Sequence, residues 1–286
     1  MPLPDVHAWD FDIDHFLNRF VPYPRWHLIP YPVAHLLGHR EHLPKKPGNI
    51  LVTLWAVVGV FCGLSIVAAV TMHVPIFQER VPIIIIASFG AAAVLEFCAI
   101  DSPFAQPRNA FFGQLFAAVV GVGITKLFAM NPHADSIYWI SGSVACAVVV
   151  GIMSLTKTVH PPAGATALLA SIHGETRLLG WVLVPMVVLG SALILATALL
   201  INNIQRRFPV YWWTPESLKP EPAEKDPEMS SSDDDRPPTE SELKRQITEV
   251  TEEFALTVHR GRVTVPDGLF LTAEELEFLD ELSHRM

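Results

Sequence analysis

The chain is poor in cysteine, poor in charge and without the short motifs of the common hydrolases, and each shortage excludes something. Its three cysteines, Cys62, Cys98 and Cys146, all fall in apolar stretches with no CxxC spacing. That excludes a zinc or disulfide framework and leaves buried thiols. There is no HExxH, no GxSxG and no paired acid cluster in the apolar runs, so neither metalloprotease nor serine-hydrolase chemistry is expected, and no enzymatic activity, cofactor or metal. The first residues carry Asp5, Asp10, Asp12 and Asp14 among prolines and aromatics, not a basic patch before an apolar core. They do not read as a secretory signal or transit peptide, and the first membrane segment is expected to act as its own insertion signal.

What the chain has in abundance is apolar residues, 50% against 17% charged, the composition of a polytopic membrane protein with polar ends. Charge is unevenly shared. Residues 1–214 hold twelve Lys/Arg and ten acids, whereas 215–286 hold eight and nineteen, so two different physical objects share the sequence. Apolar runs at about 50–70, 82–100, 109–129, 137–156 and 178–201 each approach the ~20 residues that a transmembrane helix needs. A sixth run, 161–172, covers only ~18 Å of a ~30 Å hydrocarbon core at ~1.5 Å per residue. That is the length of a broken or half helix.

The short run opens at His160-Pro161-Pro162. Proline suits a helix start, where its missing N–H is not needed. A break in lipid would leave backbone groups unsatisfied, so such a run belongs inside a bundle or beside a water-filled cavity. With six crossings, one side carries Arg19, Arg25, Arg40, Lys45, Lys46, Arg108, Lys157, Arg206, Arg207 and Lys219, against Arg80 and Arg177 on the other. The excess of ten over two favours six crossings with both ends cytosolic; five crossings with a re-entrant loop is the alternative. The expected fold is thus an all-α polytopic bundle of about six transmembrane segments with a small acidic cytosolic tail. Ser88-Phe-Gly-Ala-Ala-Ala-Val-Leu95 also echoes Ala163-Gly-Ala-Thr-Ala-Leu-Leu169. Each lies in the second segment of a group of three, the pattern of a 3+3 inverted repeat with its site near the midplane; small residues recurring for close helix packing would give the same echo.

Chemistry gathers at these breaks. The amides opening at Pro161, with Thr166 as a further donor, can face a small anion at a positive helix end, and Gly164 permits close approach. Two roles fit His160: a proton-lending group in the pathway, or a neutral histidine capping the helix. Ser88 and Gly90 are the matching elements of the first half, with plain packing as the alternative. Arg108, heading the third segment, is either a fixed charge that attracts an anion at a cavity mouth or an interfacial anchor. Glu96, a carboxylate in an apolar run, is expected to pair with Arg108 or His160, to carry protons, or to lie at headgroup level near Asp101. Lys126 reads as a snorkelling side chain. His35, His39 and His42 have zinc-binding spacing if helical, but interfacial packing with Tyr23, Trp26 and Tyr31 is the better expectation.

Three stretches in order, Ala87-Ser-Phe-Gly-Ala-Ala-Ala-Val-Leu95, Ser102-Pro-Phe-Ala-Gln-Pro-Arg-Asn109 and Thr158-Val-His-Pro-Pro-Ala-Gly-Ala-Thr-Ala-Leu-Leu-Ala170, give the chain a resemblance to the HPP family of integral membrane proteins over about 50–201. The resemblance implies a small multi-helix membrane protein. Since characterised plant and cyanobacterial members look like nitrite transporters, it implies nitrite as the first substrate. The acidic N terminus, the long tail and Glu96 depart from the plastid pattern. The residues alone suit nitrite, nitrate, formate or chloride, a channel or a proton-coupled carrier, and the plasma membrane or that of an organelle.

Four regions are expected: a cytosolic or interfacial segment 1–49, the HPP-type transmembrane domain 50–213, a disordered acidic linker 214–241, and a small module 242–286. Within the module, 242–254 reads as a short helix and 255–265 as two strands turning at Arg260-Gly261. Thr272-Ala-Glu-Glu275 reads as a capping box before a last helix. The expected partners are a small inorganic anion, the bilayer and a protein partner for the tail, without nucleic acid. The alternative function is a membrane-anchored scaffold or regulator acting through the tail.

Overall fold

The computed structural model describes residues 11–22, 24–40, 47–79, 85–216, 218, 257–259, 262–264, 279 and 282. The chain forms two compact units, residues 1–220 and 221–286. In the first, the regular elements among the described residues are all helices. Two short helices, α1 (Asp14–Leu17) and α2 (Tyr31–Leu36), precede α3 (Asn49–His73) and α4 (Pro75–Gln78). Then come α5 (Ser88–Phe97), α6 (Pro107–Phe128), α7 (Ala134–Leu155), α8 (Pro161–Ile172), α9 (Gly174–Leu179) and α10 (Leu183–Asn202). In the second unit, Thr257–His259 (β1) and Arg262–Thr264 (β2) pair antiparallel, Val258 opposite Val263. This is the hairpin read from the alternation; its turn, the linker, the 242–254 helix and the capping box at Thr272 lie outside the described residues.

Among the described residues, four helices are long and apolar enough to cross a membrane: Asn49–His73, Pro107–Phe128, Ala134–Leu155 and Gly174–Asn202. Prolines open α6 and α8 at their first positions, where φ near −65° is already helical. The expected run 82–100 is corrected: among the described residues only Ser88–Phe97 is helical, ten residues. Ile85 and Ile86, at the end of an isoleucine run, stay outside it, as β-branched side chains favour extended backbone. The short run at 161–172 forms α8 with the bounds expected.

The packing is reciprocal. Helix α3 packs on α5 and α10, α7 packs on α8 and α6, α5 also meets α10 as α8 meets α6, and α5 touches α8 while α6 touches α10. Exchanging α3, α5, α6 for α7, α8, α10 leaves that set of neighbours unchanged. Small residues permit these approaches. A Cβ on Gly121 of α6 would lie 2.9 Å from the Ala170 Cβ of α8, and Gly190 of α10 has no room for one beneath the ring of Phe89. In lipid there is little hydrophobic drive between helices, so such close backbone contact, with dispersion, holds them. One core cluster gathers Phe89, Phe97, Val67, Ile194 and Phe208, and a smaller alanine-rich one surrounds α8 with Ala117, Ala145, Val149, Met153, Ala163 and Ala167.

Residues 11–40 and 203–216 belong to the same end of the unit. Asn203 donates to the Leu36 carbonyl at 2.9 Å, Arg40 reaches the Asn203 side chain at 2.8 Å, and Trp212 Nε1 donates to Leu37. His39 stacks on Trp26 at 5.0 Å and His35 lies edge-on to Tyr31, the aromatic packing expected there. His42 and Tyr23 lie outside the described residues. Lys126 is exposed, as a snorkelling side chain would be.

Candidate functional site: the junction of two short helices

Pro161 forces the residue before it away from helical backbone, and His160 accordingly sits extended (φ −139°, ψ 100°) as the N-cap of α8. Its ring is fully buried, and its Cβ lies where a side chain on Gly113 would stand, 2.8 Å from that glycine's absent Cβ. Nδ1 is 2.8 Å from the carbonyl oxygen of Phe104. A carbonyl can only accept, so in the neutral ring Nδ1 carries the proton. Nε2 is then a buried lone pair, and it has no protein partner among the described residues.

A second polar group lies where α5 meets α8. Thr166 Oγ1 is 2.6 Å from Gln114 Oε1 of α6 and 2.7 Å from Ser88 Oγ, the first residue of α5. One hydroxyl carries one proton. Thr166 is the donor, and its proton is shared among the amide oxygen, the Ser88 oxygen and, at 3.3 Å, the Pro162 carbonyl. All three side chains are buried, and Gln114 Nε2 has no partner among the described residues. Turned either way, the amide presents one polar atom to Thr166 and leaves the other unmatched. A buried polar atom without a partner costs ~1–3 kcal/mol, so His160 Nε2 at the N-cap of α8 and Gln114 Nε2, whose amide meets the sixth residue of α8, each hold unused hydrogen-bonding capacity.

The three sequence stretches that carry the family resemblance converge here. Ser88 comes from the first. The second supplies the Phe104 carbonyl, Asn109, which donates to Val159 at 2.9 Å, and Arg108, which donates to the Thr156 carbonyl at 2.8 Å. The third supplies His160 and Thr166.

Other expected residues stand apart. Pro161 is exposed and Gly164 half-buried, on the side of α8 away from buried Pro162, Ala163, Thr166 and Ala167; a Cβ on Gly164 would meet only the Cys146 sulfur of α7. Gly90 is half-buried beside open space. Glu96 is buried near the end of α5, the helix-end position expected. The expected pairing with Arg108 or His160 is corrected, since neither reaches it and its Oε2 has no partner among the described residues. Its backbone carbonyl is held by Asn202 at 2.8 Å.

Arg108 is not the open charge of a cavity mouth. Its guanidinium lies 2.7 Å from Asp14, with side chains 3% and 6% exposed, and sits 4.2 Å over the Trp213 ring. Because Asp14 Oδ1 lies off the line of N–H donation, this contact is an ion pair and not a directed hydrogen bond. Gln114, Asp14 and Trp213 were not singled out from sequence. A lone glutamine inside an apolar run was the signal for Gln114; no spacing connects Asp14 to a partner 94 positions away.

Residues 45–209 match the profile of the HPP family's transmembrane region, more than half of the chain, and the chain belongs to that family: it is an integral membrane protein. A transmembrane protein of Dictyostelium discoideum is 38% identical over 167 residues, 56% of this chain and 50% of the relative. A second from the same organism is 34% identical over 166 residues, 56% of this chain and 55% of the relative. The chain thus aligns to about half the length of the curated relatives it matches. No solved structure matches it.

Proposed function

We propose that the protein carries a small inorganic anion across its membrane, nitrite first among the candidates, at the junction of α5 and α8. One observation carries this reading: two short helices, ten and twelve residues long, meet through the buried Ser88–Thr166–Gln114 group. In that region Gln114 Nε2 and His160 Nε2 are left without protein partners among the described residues. The reading takes the two short helices as crossings beside the four long ones, six in all. It takes the reciprocal neighbour set as an inverted 3+3 repeat, whose interrupted helices hold the substrate in transporters of that design.

The tautomer of His160 adds a constraint. A lone pair on Nε2 repels a bare anion and welcomes a donor. Protonated, the same atom becomes a cationic donor to the anion. The anion therefore travels with a proton, either as the undissociated acid or with His160 charged beside it. Gln114 Nε2 and Ser88 supply further donors. The protein is accordingly a carrier and not an enzyme, its ligand is a small anion and not a nucleic acid, and Glu96 serves as a second proton holder.

Uptake into proteoliposomes containing the full chain tests this, with nitrite, nitrate, formate and chloride, each with and without an inward proton gradient. Nitrite uptake that rises with the gradient and disappears in His160→Ala is the expected result. If a folded, inserted protein moves none of the four, the reading fails, and the scaffold role of the tail takes its place.

A further inference from the structure

The pair of cations beside the α8 head is covered by the chain's own carboxylates. Lys157 has left-handed backbone (φ 52°), strained for a residue with a side chain. Its ammonium meets Asp12 at 2.7 Å and Asp14 Oδ2 at 3.6 Å. Arg108 is fixed from three sides by the Thr156 carbonyl, the Trp213 carbonyl at 3.3 Å and the Trp213 ring, and its remaining face meets Asp14. Arg108, held independently of the N-terminal segment, and the Lys157 ammonium, which among the described residues is fixed by that segment's carboxylates, thus face Asp12 and Asp14. Arg108 begins α6 next to Asn109, which holds Val159, the neighbour of His160.

Among the described residues, the segment bearing these carboxylates has few other attachments. α1 is a single turn, and Phe11, Phe16 and Phe20 are 56%, 52% and 72% exposed. Asn18 accepts from Trp213 Nε1 at 3.1 Å. A segment with few buried apolar contacts opens at low free energy, and one held mainly by charge can be displaced by charge. A planar guanidinium braced by an indole face, with an ammonium beside it, receives a small oxyanion as readily as a carboxylate, the indole holding the guanidinium and not meeting the anion itself.

We infer that Arg108, Lys157 and Trp213 form a binding site for a small oxyanion on the cytosolic approach to the α5–α8 junction, and that Asp12 and Asp14 are its intramolecular ligand, released when the anion binds. The consequence for flux rests on the transport reading; the binding site does not. Nitrite waiting at this site displaces the N-terminal segment and so uncovers the path it then takes.

Hydrogen–deuterium exchange of the full chain tests the site directly, comparing nitrite with gluconate at equal ionic strength so that screening is constant. Exchange across 14–20 is expected to rise about tenfold in nitrite. Asp14→Asn strands a buried arginine and risks misfolding, so the deciding variant is Asp12→Asn, whose carboxylate belongs to the more exposed pair, 42% and 46%. Its basal exchange over 14–20 is expected to be higher, and its response to require about threefold less nitrite. Exchange that is the same in both salts, or a nitrite requirement unchanged in Asp12→Asn, overturns the inference whatever the uptake assay gives. If exchange responds while the wild type moves no anion, the site stands and the transport reading falls. If the wild type moves nitrite and the same variant lowers its apparent KM by a similar factor, both stand.

Discussion

Helices α5 and α8 are alike in length and small-residue content, and both have last-turn carbonyls held by side chains, those of α8 by Thr125 at Ala170 and Thr176 at Leu169, but they differ at the head. α8 is fixed at its head: Pro161-Pro162 set the first turn, and His160 is clamped between Gly113 and the Phe104 carbonyl. α5 opens at Ser88 behind the N-cap Ala87, with no proline in its first turn, and its head meets α8 through the Ser88–Thr166 hydrogen bond. At its tail Asn202 donates to the Glu96 carbonyl and Arg206 to that of Phe97 at 2.8 and 2.9 Å. Asn202 and Arg206 thus satisfy C-terminal carbonyls that a short helix cannot pair internally, and a cation there suits the helix dipole. The difference teaches that the helix carrying the buried histidine has its first turn fixed by covalent geometry and close packing, whereas its partner relies on a single hydroxyl contact there.

Breaking the head of α8 should have the largest functional effect. His160→Ala is expected to reduce nitrite uptake at least ~100-fold, the ~3 kcal/mol of a lost charged hydrogen bond, with the elution profile in detergent unchanged. Breaking the tail of α5 should do the opposite, sparing chemistry and costing stability. Arg206→Met leaves the Phe97 carbonyl and the Asn202 side chain without their donor, a loss of about 2–3 kcal/mol, read as a thermal midpoint lower by roughly 5 °C or more.

The junction between the two helices separates their roles. Thr166→Val removes the hydroxyl that serves both Gln114 and Ser88 and should cost about 1–3 kcal/mol, whereas Ser88→Ala removes one neighbour and should cost about 1 kcal/mol. Equal losses in a thermal-shift comparison would argue that Thr166 is not the shared centre.

Smallest of all is the pH response of the N-terminal contact. The hydrogen bond from Lys157 holds the Asp12 carboxyl below its usual 3.8, and the same bond raises Lys157. A carboxyl lowered on folding contributes above its unfolded value and is lost as pH falls through the lowered one. Protection of the amides at 14–20 relative to their intrinsic exchange rates should therefore be flat from about pH 5 to 8 and fall only below about pH 4; a fall near pH 6 would point to a different group.

The head of α8 was legible because two prolines admit one structural position, and its length followed from the composition after them. The start of α5 was not, because the run 82–100 is apolar throughout and only the preference of isoleucines for extended backbone shortens it. Ser88 and Thr166 were each legible as small polar residues at a break, but their contact depends on how two half-helices cross, which no spacing encodes. Arg108 shows the limit most clearly. Its charge was read correctly and its neutralisation was missed, since Asp14 reaches it only through the folding of the N-terminal segment onto Trp213.

The initial rate of nitrite uptake under an inward proton gradient, measured side by side for the wild type and Thr166→Val in proteoliposomes of verified insertion, tests the central claim most directly. The account predicts wild-type uptake that grows with the gradient and falls at least tenfold in the variant, the ~1.4 kcal/mol of one hydroxyl at the junction. No uptake by the wild type, or equal rates in the two proteins, would contradict it.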